Sequence, residues 1–339
     1  MPLTPRPLGR TGVTLSPLGM GGVPLGEVYE TLTEDQAQAT LRASWTSGIR
    51  YFDTSPWYGR GLSELRFGTF LRQQSRDDFV LSSKVGRTFH RPTGPRRAET
   101  DFWAGGLPFQ ERFDYTYDGI MRSYEQSLMR LGLNRIDLLL IHDLDVAEIG
   151  SADLVAHHLN DLRQSGWRAL ENLRHNGDIR GVGAGVNILG TIPVFLELFD
   201  LDFFLVAMPY TLLDQAVLDS EFPLCEQRGV GVVVGSPYAS GILATGPTPD
   251  ARYNYEPATT HIRDRTERIE RLCRDFGVSL KAAALQFPLL HPIVASVVSG
   301  SASAEQAKEN AELMQMDIPV DLWRELRKAS LVHELTPVP

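Results

Sequence analysis

Four residues able to handle protons stand where this chain would otherwise place apolar groups. In Tyr51-Phe52-Asp53-Thr54-Ser55-Pro56-Trp57-Tyr58-Gly59 an apolar strand end runs into a Pro/Gly turn and carries a carboxylate and a phenol. An acid at the last position of a buried strand is costly unless a partner neutralises it. Phe79-Val80-Leu81-Ser82-Ser83-Lys84 ends a second apolar run on an ammonium. Asp137-Leu138-Leu139-Leu140-Ile141-His142 ends a third on an imidazole. Gathered at one mouth, Asp53, Tyr58, Lys84 and His142 form a proton-transfer site. Lys84 beside Tyr58 is expected to favour phenolate and bring the phenol into use near neutrality. His142 is expected to hold the reacting oxygen. The plainer alternative is a structural Asp53–Lys84 salt bridge beside a packed histidine. Each residue alone leaves that alternative open, whereas four at corresponding strand ends favour chemistry.

The elements that must position these residues alternate. Thr33-Glu34-Asp35-Gln36 reads as a capping box, Ala37, Leu41, Ser44 and Trp45 share a helical face, and Gly48 supplies the stop before a strand over 49–53. The unit recurs: a helix opening at Ser63-Glu64 and a strand over 79–84, then a helix ended by Gly132 and a strand over 136–142. A further helix ended by Gly177 precedes a strand over 180–187. Buried runs over 203–208, 230–235 and 293–298 follow, the last between helices that Ser279 and Ser303 open. With a glycine-softened first strand over 18–22, eight strands emerge. Alternation implies a parallel sheet, and eight units match a single (β/α)8 TIM barrel spanning 1–339. A short β-hairpin within 6–17 precedes it. No Gly-rich nucleotide fingerprint follows the first strand, which argues against a doubly wound fold. Two long connections, 86–116 with its Arg and aromatic residues and 236–261 with its Gly, Pro and Tyr, are expected as lid loops at the C-terminal face.

Composition limits the partners. The chain has 339 residues, net charge −9, 42% hydrophobic and 22% charged residues, which suits a soluble core-forming protein and not a general nucleic-acid binder. No apolar run approaches the ~18 residues of a membrane span, and the N-terminus lacks the apolar core of a signal peptide. Cys225 and Cys273 have no metal spacing and are not expected to pair, so a reducing cytoplasm fits. No metal site is expected. His157, His158, Arg96 and Arg97 read as solvated surface.

Several motifs carry a family resemblance. Phe52 to Gly59, Ser82-Ser83-Lys84, Ile141-His142-Asp143, and Gly300-Ser301 through Glu309-Asn310 resemble the aldo-keto reductase superfamily, in order over essentially the whole chain. The segment from Trp103 through Leu107-Pro108-Phe109 to Asp114-Tyr115-Thr116-Tyr117-Asp118-Gly119 resembles a branch of L-fucose and D-threo-aldose 1-dehydrogenases and pyridoxal 4-dehydrogenase. The resemblance implies a nicotinamide cofactor across the barrel mouth and a catalytic tetrad of Asp53, Tyr58, Lys84 and His142. It assigns Asn187 to the carboxamide, Ser236, Ser240 and Gly241 to the diphosphate side, and Gly300, Ser301, Ser303, Gln306, Glu309 and Asn310 to the adenosine end. Trp57 and Trp103 are candidate substrate walls. Two positions depart from the pattern: Ala207 where the family commonly has Gln, and Gly235 where a Tyr usually stacks on the nicotinamide.

The expected activity is NAD-linked oxidation of the anomeric carbon of an aldose to a lactone. Pyridoxal oxidation and general aldehyde reduction are the rivals within the class. A Schiff-base aldolase using Lys84 and a non-catalytic barrel that senses cofactor are rivals outside it. NAD is expected over NADP, because Gly300 and Gln306 stand where NADP-preferring relatives place cations. In the sequence, Lys308 is the one nearby cation.

Overall fold

The computed structural model describes residues 4–94 and 102–339; Arg96 and Arg97 lie outside the described residues. Strands β1 (Arg6–Pro7) and β2 (Thr14–Leu15) form the expected hairpin. The chain then runs through β3 (Leu18–Gly21), α1 (Glu34–Thr46), β4 (Tyr51–Asp53), α2 (Leu62–Leu71), β5 (Val80–Val85), β6 (Arg87–His90) and β7 (Gln110–Phe113). Next come α3 (Tyr117–Leu131), β8 (Leu138–Ile141), α4 (Val146–Ile149), α5 (Ala152–Asp161), α6 (Trp167–His175), β9 (Gly181–Val186), α7 (Thr191–Leu198) and β10 (Phe203–Val206). The remainder is α8 (Glu221–Arg228), β11 (Gly231–Gly235), α9 (Ile242–Thr245), β12 (Arg252–Tyr253), β13 (Glu256–Pro257), α10 (Thr260–Asp275), α11 (Leu280–Gln286), β14 (Val294–Gly300), α12 (Ala304–Gln315) and α13 (Val320–Lys328). Eight parallel strands close into a barrel in the order β3-β4-β5-β8-β9-β10-β11-β14.

Local chemistry sets the boundaries. Thr33 and Gln36 form the reciprocal capping box that opens α1. Left-handed glycines at Gly48 and Gly132 stop α1 and α3, as their positions after apolar faces predict. Most strands are shorter than their apolar runs, because the sheet ends where pairing ends, and hydrophobicity continues into the turns. The two long connections are not plain loops. The first folds its ends into the antiparallel ribbon β6–β7, and the second carries the smaller hairpin β12–β13. Neither ribbon has the uninterrupted apolar run that marks a barrel strand, so both escape a hydrophobicity reading.

Side chains alternate across each strand. Tyr51, Leu138, Leu140, Phe203, Leu205 and Val233 fill the barrel interior, with Leu8, Val13 and Leu15 of the N-terminal hairpin in the same cluster. The opposite faces join the helices in the larger core. Continuing the inward alternation to the C-terminal ends gives Asp53, Lys84, His142, Gly185, Ala207 and Gly235, which surround the mouth.

Candidate active site

One side of the mouth is a closed polar network. Lys84 Nζ donates to Asp53 Oδ2 at 2.8 Å and to the Thr54 carbonyl at 2.9 Å, while Ser82 Oγ donates to Asp53 Oδ1 at 2.6 Å. The register explains the reach. Asp53 pairs with Ser82, and Lys84 lies two residues further along on the same inward face. All three are buried, and every charge has a partner, as burial requires. An amine already committed to two acceptors is poorly placed to attack a carbonyl, which weakens the Schiff-base alternative.

Tyr58 sits in the turn after β4, with Lys84 Nζ 4.6 Å from its ring centroid and the His142 ring edge-on at 5.9 Å. The turn is fixed: Ser55 Oγ accepts from the Trp57 amide, and Gly59 and Arg60 both adopt left-handed backbone. Burial pushes the Tyr58 phenol well above its ordinary value, Asp53 and Asp143 add to the rise, and Arg87 opposes it. The expectation that Lys84 brings this phenol into use near neutrality is therefore corrected. Lys84 spends its charge on Asp53, and desolvation decides the direction.

His142 lies just beyond β8 and is buried. Burial lowers its pKa despite Asp143, so the ring is neutral near pH 7. Its Nε2 faces the Asp143 carboxylate at 3.0 Å and its Nδ1 faces Ser55 Oγ at 3.0 Å. A carboxylate only accepts, so the proton resides on Nε2, and Nδ1 accepts from the Ser55 hydroxyl. Tyr115 donates its hydroxyl to the His142 carbonyl at 2.7 Å.

Asp143 is the residue the sequence reading passed over. In the sequence it stands only as the residue after His142 in Ile141-His142-Asp143, with no spacing that assigns it a role. Its backbone is left-handed at φ 41, and its Oδ1 accepts from Asn187 Nδ2 at 2.9 Å. Arg87 lies 3.7 Å away, held in turn by Glu148 and stacked on Trp57 and Phe113. Burial alone would raise this carboxyl, but His142, Arg87 and Asn187 outweigh it and hold it well below the usual range.

The other side of the mouth carries no side chain larger than a methyl at its inward strand ends. A methyl at Gly185 would meet nothing closer than 3.9 Å, its neighbours being Asp143, the His142 ring and the Ile141 carbonyl. A methyl at Gly235 would lie 3.7 Å from that of Ala207 and only 3.1 Å from Leu205, so this position takes nothing larger than glycine without a shift. Beyond it, Ser236, Ala239 and Ser240 are all left-handed without being glycine, a concentration of backbone strain typical of ligand-holding loops. A flat ring with a carboxamide fits this arrangement: a floor with no side chain beyond a methyl, the Asn187 amide at its edge, and strained turn amides further out.

The remaining expected cofactor residues gather at the start of α12. Asn310 donates to Ser301 Oγ at 3.1 Å and to Ser299 Oγ at 3.3 Å, and it accepts from Tyr238 Oη at 2.6 Å. Ser303 caps the helix by accepting from the Gln306 amide, and Gln306 Oε1 accepts from the Ala302 amide. Glu309 pairs with Lys281 at 2.5 Å, so Lys308 is not the one nearby cation. Lys281 arrives from α11, far off in sequence. Gly300 is pressed against Pro24, whose ring a methyl there would approach to 2.8 Å. Ser240 Oγ accepts from the Tyr255 amide, and Ser236 lies near the Tyr255 phenol, so both face the tip of the β12–β13 hairpin. Gly241 follows Ser240 with φ 110.

Trp57 and Trp103 meet edge to face at 5.4 Å, and Trp103 is buried beside Tyr58. The lid segment around Trp103 is docked. Ala104 donates to the Glu27 carbonyl at 2.8 Å and Leu107 to the Gly59 carbonyl at 2.9 Å, while Arg66 fixes Glu27. Elsewhere, His157 is exposed as expected, but His158 is mostly buried, packed against Tyr115 and Phe113.

A parallel eightfold barrel with this mouth defines an oxidoreductase of the aldo-keto reductase class. The profile of the Aldo/keto reductase family matches residues 17–330, and the chain belongs to that family. It is 42% identical over 337 residues to a pyridoxal 4-dehydrogenase of Microbacterium luteolum, covering 96% of this chain and 97% of the relative. It is 38% identical over 327 residues to a D-threo-aldose 1-dehydrogenase of a Pseudomonas species, covering 95% and 96%. Among solved structures, the holo form of an aldo-keto reductase from Bacillus halodurans superposes with a TM-score of 0.75 at 26% identity, covering 98% of this chain and 97% of that one. No described helix is long and apolar enough to cross a membrane.

Proposed function

We propose that the protein is an NAD-linked dehydrogenase that oxidises the anomeric carbon of a cyclic aldose to the lactone. The observation that carries this reading is the Tyr58 phenol at the barrel mouth, its ring beside Lys84 of the Lys84–Asp53 pair and the His142 ring, where Gly185, Ala207 and Gly235 stand at the ends of the opposite strands. Bound nicotinamide supplies the acceptor for the hydride that leaves C1. Tyr58, as phenolate, takes the proton of the anomeric hydroxyl. Lys84 keeps Asp53 neutralised beneath it, so that the second negative charge is tolerated. His142 donates through Nε2–H, shared between Asp143 and the reacting oxygen. Asn187, fixed by Asp143, presents its amide to the carboxamide, and Ser236, Ser240 and Gly241 serve the diphosphate side. Trp57 and Trp103 wall the sugar. The phenol's raised pKa makes oxidation an alkaline-favoured reaction.

Pyridoxal is the second reading, because its cyclic hemiacetal also yields a lactone and a 42% identical relative is a pyridoxal 4-dehydrogenase. NAD preference rests on the adenosine end. Ser303 and Gln306 are occupied in capping α12, Glu305 is exposed there, and Lys281 is neutralised by Glu309. A ribose phosphate needs unpaired cations or well-aimed donors. The test is a panel of aldoses, pyridoxal and simple aldehydes with both cofactors. The reading expects lactone from an aldose and at least about a tenfold advantage of NAD⁺ in kcat/KM, or ~1.4 kcal/mol. Aldose-independent activity, or an NADP⁺ preference, contradicts the corresponding half.

A further inference from the structure

The hairpin β12–β13 pairs Tyr253 with Glu256 and turns through Asn254 and Tyr255 at φ 51 and 64. Two left-handed residues in a two-residue loop make a type I′ turn, whose second position strongly favours glycine. A tyrosine there is strained by about 1 kcal/mol or more, and such strain persists only when surrounding contacts hold it. Those contacts are present. The Tyr255 amide donates to Ser240 Oγ at 3.0 Å, Arg252 donates to the Tyr255 carbonyl at 3.0 Å, and the phenol lies near the Ser236 side chain.

The tip also reaches across the mouth. Tyr255 meets Phe102 edge-on at 6.3 Å, and Phe102 stacks on Trp57 at 6.4 Å and on the edge of Trp103 at 5.1 Å. The two long connections, from opposite sides of the barrel, thus touch through these two rings. Tyr255 is 44% exposed as a residue, and its phenol lies within electrostatic reach of Tyr58, Tyr29 and Asp143 at the mouth.

We infer that Tyr255 is a specificity-determining residue whose phenol hydrogen-bonds a ring hydroxyl of the substrate while its ring closes the mouth against Phe102. The inference rests on the dehydrogenase reading and adds the feature that selects hydroxylated substrates. The tetrad acts on one carbon and one oxygen and has no means of sensing further hydroxyls. The wall of Trp57, Phe102 and Trp103 is largely apolar. Tyr255 adds a polar group beside that wall through its ring contact with Phe102. A polyhydroxylated ring exchanges water for this hydroxyl, whereas a plain alkyl aldehyde gains nothing from it.

The experiment compares wild type with Tyr255→Phe, which keeps the ring and the Phe102 contact, and with Phe102→Ala, which opens the closure and keeps the phenol. KM is measured for L-fucose, pyridoxal and propanal, and NAD⁺ affinity by quenching of tryptophan fluorescence. Tyr255→Phe is expected to raise KM for L-fucose about 5–10-fold, the span of one neutral hydrogen bond, and to raise that for propanal twofold at most. Phe102→Ala is expected to raise both together. Equal rises for sugar and propanal in Tyr255→Phe overturn the inference, as does an unchanged L-fucose KM. Weakened NAD⁺ binding with substrate KM unmoved also overturns it, and assigns the hairpin to the dinucleotide. If the wild type oxidises pyridoxal and no aldose, the aldose reaction falls. The inference then stands or falls on the pyridoxal-to-propanal ratio, since pyridoxal is also hydroxylated.

Discussion

The two halves of the barrel mouth are built on opposite principles. Over β4, β5 and β8 the inward positions are Asp53, Lys84 and, just past the strand, His142, each locked by two or more hydrogen bonds. Over β9, β10 and β11 they are Gly185, Ala207 and Gly235, none with a side chain larger than a methyl. The polar half fixes where a proton can be held, and the small half leaves a face on which a flat ring can lie. Neither half suffices alone. A charged network without space has no substrate, and a bare floor without the network has no acid or base.

The largest expected effect breaks the polar half. Lys84→Met leaves Asp53 buried without its cation, and removing one partner of a buried pair costs about 3–5 kcal/mol. Urea unfolding should show a loss of that size. If the variant is unfolded at rest, Lys84→Arg should recover the fold while remaining impaired in turnover. A loss under about 1 kcal/mol would mean that the Asp53–Lys84 contact is not the buried pair described.

Filling the small half should have the reverse signature. A Cβ at Gly185 would make only ordinary contacts at 3.9 Å, so Gly185→Val should cost stability no more than about 1–3 kcal/mol. NAD⁺ affinity should fall roughly a hundredfold, ~2.7 kcal/mol, as read by fluorescence titration. Unchanged affinity would move the nicotinamide away from this floor.

A smaller effect lies at the seam. Asp143 belongs to neither half and ties His142 to Asn187. Asp143→Asn keeps the volume but loses the charged acceptor that holds the Nε2 proton. A buried hydrogen bond to a charged group is worth about 1.5–3 kcal/mol, so kcat/KM should fall roughly 10–100-fold, with NAD⁺ binding weakened as Asn187 loosens. A variant that lowers kcat/KM without touching NAD⁺ binding would confine Asp143 to His142.

The same contrast explains what the sequence disclosed. Charges at the ends of apolar strands are expensive, so Asp53, Lys84 and His142 stand out, and the alternating elements between them give the barrel. Glycine and alanine carry no such signal. Gly185 was unremarked, and Gly235 was noted only as a departure from a family pattern. Asp143 owes its role to a left-handed backbone and to contacts with His142 and Asn187 that exist only in the folded chain. Tyr255 lies in a stretch whose composition spells loop, and its strained turn and long-range contact with Phe102 exist only in the folded chain. Lys281 reaches Glu309 from another helix, a pairing that local spacing does not contain. The Tyr58 pKa was misjudged because the sequence shows a neighbouring cation but not the burial that outweighs it.

The most direct measurement is the oxidation rate of wild type and Tyr58→Phe across pH. Burial raises the Tyr58 pKa, so phenolate is the minor form at neutrality and its fraction rises tenfold per pH unit. Wild-type kcat/KM should climb with a slope near one through neutral into alkaline pH. The lowered His142 pKa puts that group's protonation below its ordinary range, so it should contribute no limb between about pH 7 and 8. Tyr58→Phe should lose roughly 10²–10⁴-fold in kcat together with the climb, while NAD⁺ affinity stays near wild type. A Tyr58→Phe enzyme with near-normal turnover and the same pH slope would contradict the account.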